Sequence, residues 1–93
     1  MDLIKVSAHS RCTLVAGAIA GMIRECRLVE VQAIGPSAVN QAVKAIAIAR
    51  NYLVADNLQI ACVPEFVNID IKGRERTAIK LTVFCSPPPE TPK

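Results

Sequence analysis

The hydrophobic pattern of this 93-residue chain switches between a period of two and a period near 3.6. Residues 2–8 alternate, with Ile4 and Val6 on one side and Lys5 and Ser7 on the other, which predicts a first strand. A polar turn, His9-Ser10-Arg11-Cys12, leads into residues 13–26, whose helical stripe is Val15, Ile19, Met22, Ile23 and Cys26. Gly17 and Gly21 lie on the other side of that helix. A glycine inside a helix costs about 0.5–1 kcal/mol relative to alanine, so close packing within the fold is expected there. Leu28–Ile34 alternates again as a second strand, with Val29, Val31 and Ala33 set against Glu30 and Gln32.

The longest periodic segment follows a break at Gly35-Pro36-Ser37 and runs as a helix from Pro36 to Leu53. Pro36 suits the first helical position, with Gly35 or Ser37 as cap. Val39, Ala42, Val43, Ile46, Ala49 and Leu53 share one face and are the expected core side. The opposite side carries Ala45, Ile48 and Tyr52 beside Gln41, with only a narrow polar seam of Asn40, Lys44 and Asn51. A helix apolar nearly all round is buried twice. Gln41, Ala45, Ile48 and Tyr52 are therefore expected to meet a second copy in a homodimer or a higher oligomer.

Leu58–Val63 reads as a third strand, stopped or bulged at Pro64 and resuming through Val67, Ile69 and Ile71. Gly73 marks a hairpin, and Ile79, Leu81 and Val83 alternate in a fourth strand. The order β-α-β-α-β-β predicts an α+β fold, a two-layer sandwich with a mixed four-stranded sheet and both helices on one face. Residues 1–85 read as one domain. Residues 86–93, SPPPETPK, hold four prolines and read as a flexible end. Thr13–Ile23 with Ala18-Ile19-Ala20 imitates a secretory signal, but the strand alternation before it favours a part of the domain.

Composition narrows the chemistry. The chain is 52% hydrophobic with two Phe, one Tyr and no Trp, which disfavours a base-stacking platform. A net charge of +3 permits an anionic partner without requiring one. Cys12, Cys26, Cys62 and Cys85 contain no CxxC pair and His9 is the only histidine, so no metal site is expected and the thiols read as reduced. No acid–base pair, phosphate loop or nucleophile motif stands out, which argues against an enzyme, a cofactor or a small-molecule substrate. No segment reaches the roughly 18–20 apolar residues that a spanning helix needs, so no membrane partner is expected and the cytoplasm is the expected location.

The basic residues are better organised. Lys72, Arg74 and Arg76 crowd the hairpin turn with Lys80 further along, next to Asp70 and Glu75. Such a tip grips phosphates or merely keeps a hairpin soluble. His9, Ser10 and Arg11 sit at the start of the first helix, where free N–H groups favour anions or are simply capped.

Four segments carry a family resemblance: LIKVSA at 3–8, VAGAIAG at 15–21, VQAIGPSAVNQAVKAIAIAR at 31–50 and ERTAIKLTV at 75–83. Together they strongly resemble the stage V sporulation protein S family, which is similar in fold to the Alba proteins. Ala33, Gly35, Ala38-Val39, Ala42-Val43 and Ile48-Ala49-Arg50-Asn51 match the corresponding Alba stretch. The resemblance implies an Alba-like fold, a bacterial dimer, and DNA or RNA binding linked to sporulation or regulation. By position it assigns the nucleic acid to His9, Ser10 and Arg11, to Gly35, Ser37 and Asn40, and to Lys72, Arg74 and Arg76. His9 stands where a lysine is expected, and is a weaker cation at pH 7. A second reading is a protein-assembly module in sporulation that works through the back of the second helix without nucleic acid.

Overall fold

The computed structural model describes residues 3–86. Its elements run β1 (Leu3–Val6), α1 (Cys12–Cys26), β2 (Leu28–Ala33), α2 (Pro36–Leu53), β3 (Gln59–Ile71) and β4 (Arg74–Ser86), with a short 3-10 turn at Val54–Asp56. This is the β-α-β-α-β-β order that the periodicity predicts. The sheet has four strands in the order β1-β2-β4-β3. β1 and β2 are parallel, whereas β4 runs antiparallel to both β2 and β3. Asp2 and the proline-rich end from Pro87 to Lys93 lie outside the described residues; Ser86 is the last residue of β4, paired with Gln59.

One sheet face carries the helices. Val29, Val31 and Ala33 on β2, Leu81 and Val83 on β4 and Val6 on β1 are buried there, and between them pack Ala16, Ile19, Ala20 and Ile23 of α1. α2 adds Ala38, Ala42, Ala45, Ala49 and Leu53. These lie three and four residues apart, the spacing of a single helical face. The second helix is thus rotated from its expected setting. Val43, expected inside, is 53% exposed, while Ala45, expected outside, is 0% exposed. Small side chains let α2 approach α1 and the sheet together, so alanines take the inner positions and the larger Val39 and Ile46 sit half-buried at the margin.

Three other expectations change. Cys26 is exposed at the end of α1, so it does not belong to the core stripe. Gly17 and Gly21 face open space: a Cβ built on either meets no atom within 4 Å, so no packing within the chain requires them. β3 also continues through Pro64, which pairs with Leu81 in an unbroken register from Gln59↔Ser86 to Ile71↔Arg74. Because β3 is an edge strand, a missing proline N–H on its outer side costs no ladder bond.

Candidate nucleic-acid interface

Topology gathers the predicted residues at one end of the molecule. β1 and β2 are parallel, so the loops after them, leading into α1 and α2, emerge at the same end of the sheet. The last pair between β2 and β4 is Ala33↔Ile79. Beyond it residues 67–78 leave the sheet as a free two-stranded arm at that same end. Five residues per strand give the arm a reach of about 17 Å.

The arm turns at Lys72-Gly73, with φ of 53° and 79°. Two successive positive φ angles between paired Ile71 and Arg74 make the tight turn whose twist suits a hairpin. Strand pairing then sorts the charges. Arg74 lies opposite Ile71 and Arg76 opposite Ile69, whereas Asp70 lies opposite Glu75 and Asn68 opposite Thr77. Residues opposite one another share a face and neighbours alternate, so both arginines occupy one face and both acids the other. Lys72, Arg74 and Arg76 are exposed and form no ion pair among the described residues.

Lys80 is differently placed. Its Nζ lies 2.8 Å from Glu30 and 3.1 Å from Glu65, so two carboxylates already satisfy it on the open sheet face. The hydrogen bond to Glu30, then that to Glu65, raises its pKa above the ordinary 10.5. At the opposite end of the molecule Arg24 is held by Asp56 at 2.8 Å.

The loop after β1 is closed on itself. The Ser7 N–H donates to Ser10 Oγ at 2.9 Å, the Ser10 N–H to the Ser7 carbonyl at 3.1 Å, and the His9 N–H to Ser7 Oγ at 3.2 Å. Ser10 therefore shapes the loop, while His9 and Arg11 stand exposed beside it. This fold-back also ends β1 at Val6, short of the predicted Ala8. Neither helix start is capped by a side chain or carries an acid in its first turn. Arg11 is the N-cap residue of α1, and Gly35, at φ 88°, that of α2. Ser37 and Asn40 are exposed just inside α2.

The residues expected to meet a second copy mostly face α1 instead. Gln41 Nε2 donates to the Ser10 carbonyl at 2.8 Å, and the Gln41 carbonyl accepts from Cys12 Sγ at 3.6 Å. Arg24 donates to the Tyr52 carbonyl at 3.4 Å. With Ala45 fully buried, Ile48 half-buried and Tyr52 exposed at the edge, this side of α2 is largely an internal seam.

The large unpartnered apolar surface lies elsewhere. Cys62, Pro64 and Phe66 pair with Val83, Leu81 and Ile79 and so face the helix side of the sheet. They are nevertheless exposed, Phe66 at 77%, because the helices leave β3 bare. Val43 and Val54 on the neighbouring edge of α2 and its 3-10 extension are exposed as well, at 53% and 64%. Sequence periodicity marks the alternation in β3 but not which strand lies at the edge.

Among the described residues no group of three or more His, Cys, Asp or Glu could hold a metal, and all four cysteines are unpaired. No helix among them is long and apolar enough to cross a membrane.

The solved structure of Alba from Thermoplasma volcanium is similar to this chain, with a TM-score of 0.58 at 16% identity, covering 89% of this chain and 99% of that one. At that identity the likeness is one of fold, and it agrees with the strand order and the paired helices described above. The family model Stage V sporulation protein S (SpoVS) matches residues 2–86. On a match spanning nearly its whole length, the chain belongs to the Stage V sporulation protein S family.

Proposed function

We propose that this sporulation-family protein is a non-enzymatic, cytoplasmic, dimeric nucleic-acid-binding regulator that holds phosphates at the end formed by the two helix starts and the basic arm. The observation that carries the reading is the coincidence of three anion-favouring features at one end. These are the uncapped starts of α1 and α2, the exposed Arg11 at the first of them, and the arm face bearing Arg74 and Arg76 below Lys72. Free N–H groups and a helix dipole favour negative charge, and arginine forks match phosphate oxygens. His9, Ser37 and Asn40 border the same end and supply further donors. Base reading is not needed, because phosphate contacts alone give binding that tolerates many sequences.

In this reading the second copy covers the trough between the outer edge of α2 and bare β3. The exposure of Val43, Val54 and Phe66 supports that trough in place of the Gln41–Tyr52 side. The same trough favours a second reading, an assembly module without nucleic acid.

A salt titration with mixed-sequence duplex DNA and with RNA tests the two, with a variant carrying Lys72→Ala, Arg74→Ala and Arg76→Ala alongside. The expected slope of log affinity against log salt flattens by about 0.9 for each duplex phosphate that the variant no longer neutralises. Unchanged affinity in the triple variant would remove the arm from the site. Absence of binding to either polymer at low salt would leave the assembly reading.

A further inference from the structure

Leu3 and Lys5 of β1 border one cleft with Ile69 and Ile71 of β3, although those strands stand at opposite edges of the sheet. The cleft holds about 660 Å³, within the roughly 300–1,000 Å³ of small-molecule sites, and the phosphate reading does not use it. Strand register decides which side chains meet there. Lys5 lies opposite Gln32, Gln32 opposite Lys80, and Lys80 opposite Glu65, so all four share the open face of the sheet. Steps of two residues carry that face to Leu3 on β1 and to Ile69 and Ile71 on the arm. The same count turns the Asp70 side chain to the other face with Glu75, so Asp70 borders the cleft with its main chain. Lys5 is then the one charged side chain that the lining residues turn to this face.

We propose that this cleft binds a small amphipathic anion as a free molecule: an aliphatic chain ending in a carboxylate. Lys5 and Gln32 stand side by side in register, so an ammonium and an amide N–H serve the two carboxylate oxygens. Lys5 has no ion-pair partner among the described residues, whereas Lys80 on the same face already holds Glu30 and Glu65. Leu3, Ile34, Ile69 and Ile71 take the aliphatic chain. Leu3 and Ile71 are 40% and 41% exposed, apolar surface that such a chain removes from water. An added peptide strand fits less well. The two-residue turn at Lys72-Gly73 makes Ile71 and Arg74 a hydrogen-bonded pair, so Ile69 and Ile71 spend their main-chain groups on β4 and only Asp70 has free ones. An aliphatic chain needs none. A nucleobase is disfavoured too, because no aromatic side chain lines the cleft for it to stack on. The proposal does not rest on the phosphate reading, since Arg11, Lys72 and the helix starts lie outside the cleft.

The test titrates decanoate, kept below its micelle-forming concentration, into the full chain and follows backbone amide shifts by NMR. Decanol, decyltrimethylammonium and inorganic phosphate are the comparison ligands, and phosphatidylglycerol vesicles form a separate arm. Decanoate is expected to shift residues 3–5, 32–34 and 69–71. Across hexanoate, octanoate and decanoate the affinity should rise about two- to fourfold for each methylene buried. Lys5→Gln, a change at an exposed position, is expected to weaken decanoate about tenfold and to leave decanol unchanged. Lys5→Glu should favour decyltrimethylammonium over decanoate. Equal binding of decanol and decanoate, or undiminished decanoate binding by Lys5→Gln, would overturn the proposal. So would shifts confined to the trough at Val43, Val54 and Phe66, cleft shifts produced by phosphate alone, or binding to the vesicles without binding of free decanoate. The variant carrying Lys72→Ala, Arg74→Ala and Arg76→Ala keeps every side chain that lines the cleft, so failure of the phosphate reading and failure of this one are separate outcomes.

Discussion

Gln41 reaches across from the second turn of α2 to the carbonyl of Ser10, 2.8 Å away, and so ties the start of one helix to the loop that opens the other. The two uncapped helix starts are thereby held as a pair. Gln41→Ala leaves a half-buried carbonyl without its partner, and a stability loss of about 1–2 kcal/mol is expected. Urea unfolding measures it, and the loop amides of residues 7–11 should exchange faster in the variant.

The outer side of α1 offers the opposite case. A Cβ at Gly17 or Gly21 meets nothing, so alanine removes only the conformational cost of glycine. Each change is expected to stabilise the monomer by about 0.5–1 kcal/mol. In a domain of this size that raises Tm by about 4–8 °C per kcal/mol. A lower Tm would mean that another chain approaches this side in solution.

Lys80 links β2, β4 and β3 through Glu30 and Glu65. Those hydrogen bonds raise its folded pKa above 10.5, so the folded state holds this proton more tightly than the unfolded chain does. The stabilisation is complete below the unfolded value and is lost as pH rises through the folded one. Denaturant midpoints measured between about pH 9 and pH 12 should fall with pH, and Lys80→Met should remove that part of the slope.

Val43 and Ile48 distinguish the two sides of α2. Val43→Asp places a charge on the exposed trough and is expected to dissociate the proposed dimer while leaving the fold intact. Ile48→Asp puts the charge at the half-buried α1 side and is expected to destabilise the fold by about 1–3 kcal/mol. Sedimentation velocity and thermal melts, run together, read both effects. A dimer that survives Val43→Asp would clear the trough of that role.

The element order was legible because the periods change sharply and Gly35-Pro36 and Lys72-Gly73 punctuate them. The rotation of α2 was not. An apolar stripe weighted by residue size puts Val43 and Ile46 inside, but the space between α1 and the sheet admits mainly alanine. The clustering of His9, Arg11, Ser37 and the arm came from family resemblance, and the parallel β1–β2 pair supplies its physical reason. That Leu3 and Ile71 border one cleft was invisible in sequence, since β1 and β3 stand at opposite edges of the sheet.

The unbroken register of β3 and β4 makes the arm's charge map a matter of odd and even positions. Arg74 and Arg76 share a parity, and Glu75 holds the other. Deleting Thr77 or Ala78 would not merely shorten the arm: it would turn Arg74 and Arg76 to the face that Glu75 now holds, and Glu75 to theirs. Natural length variation here should therefore come in pairs of residues, because only even steps preserve the polarity of the arm.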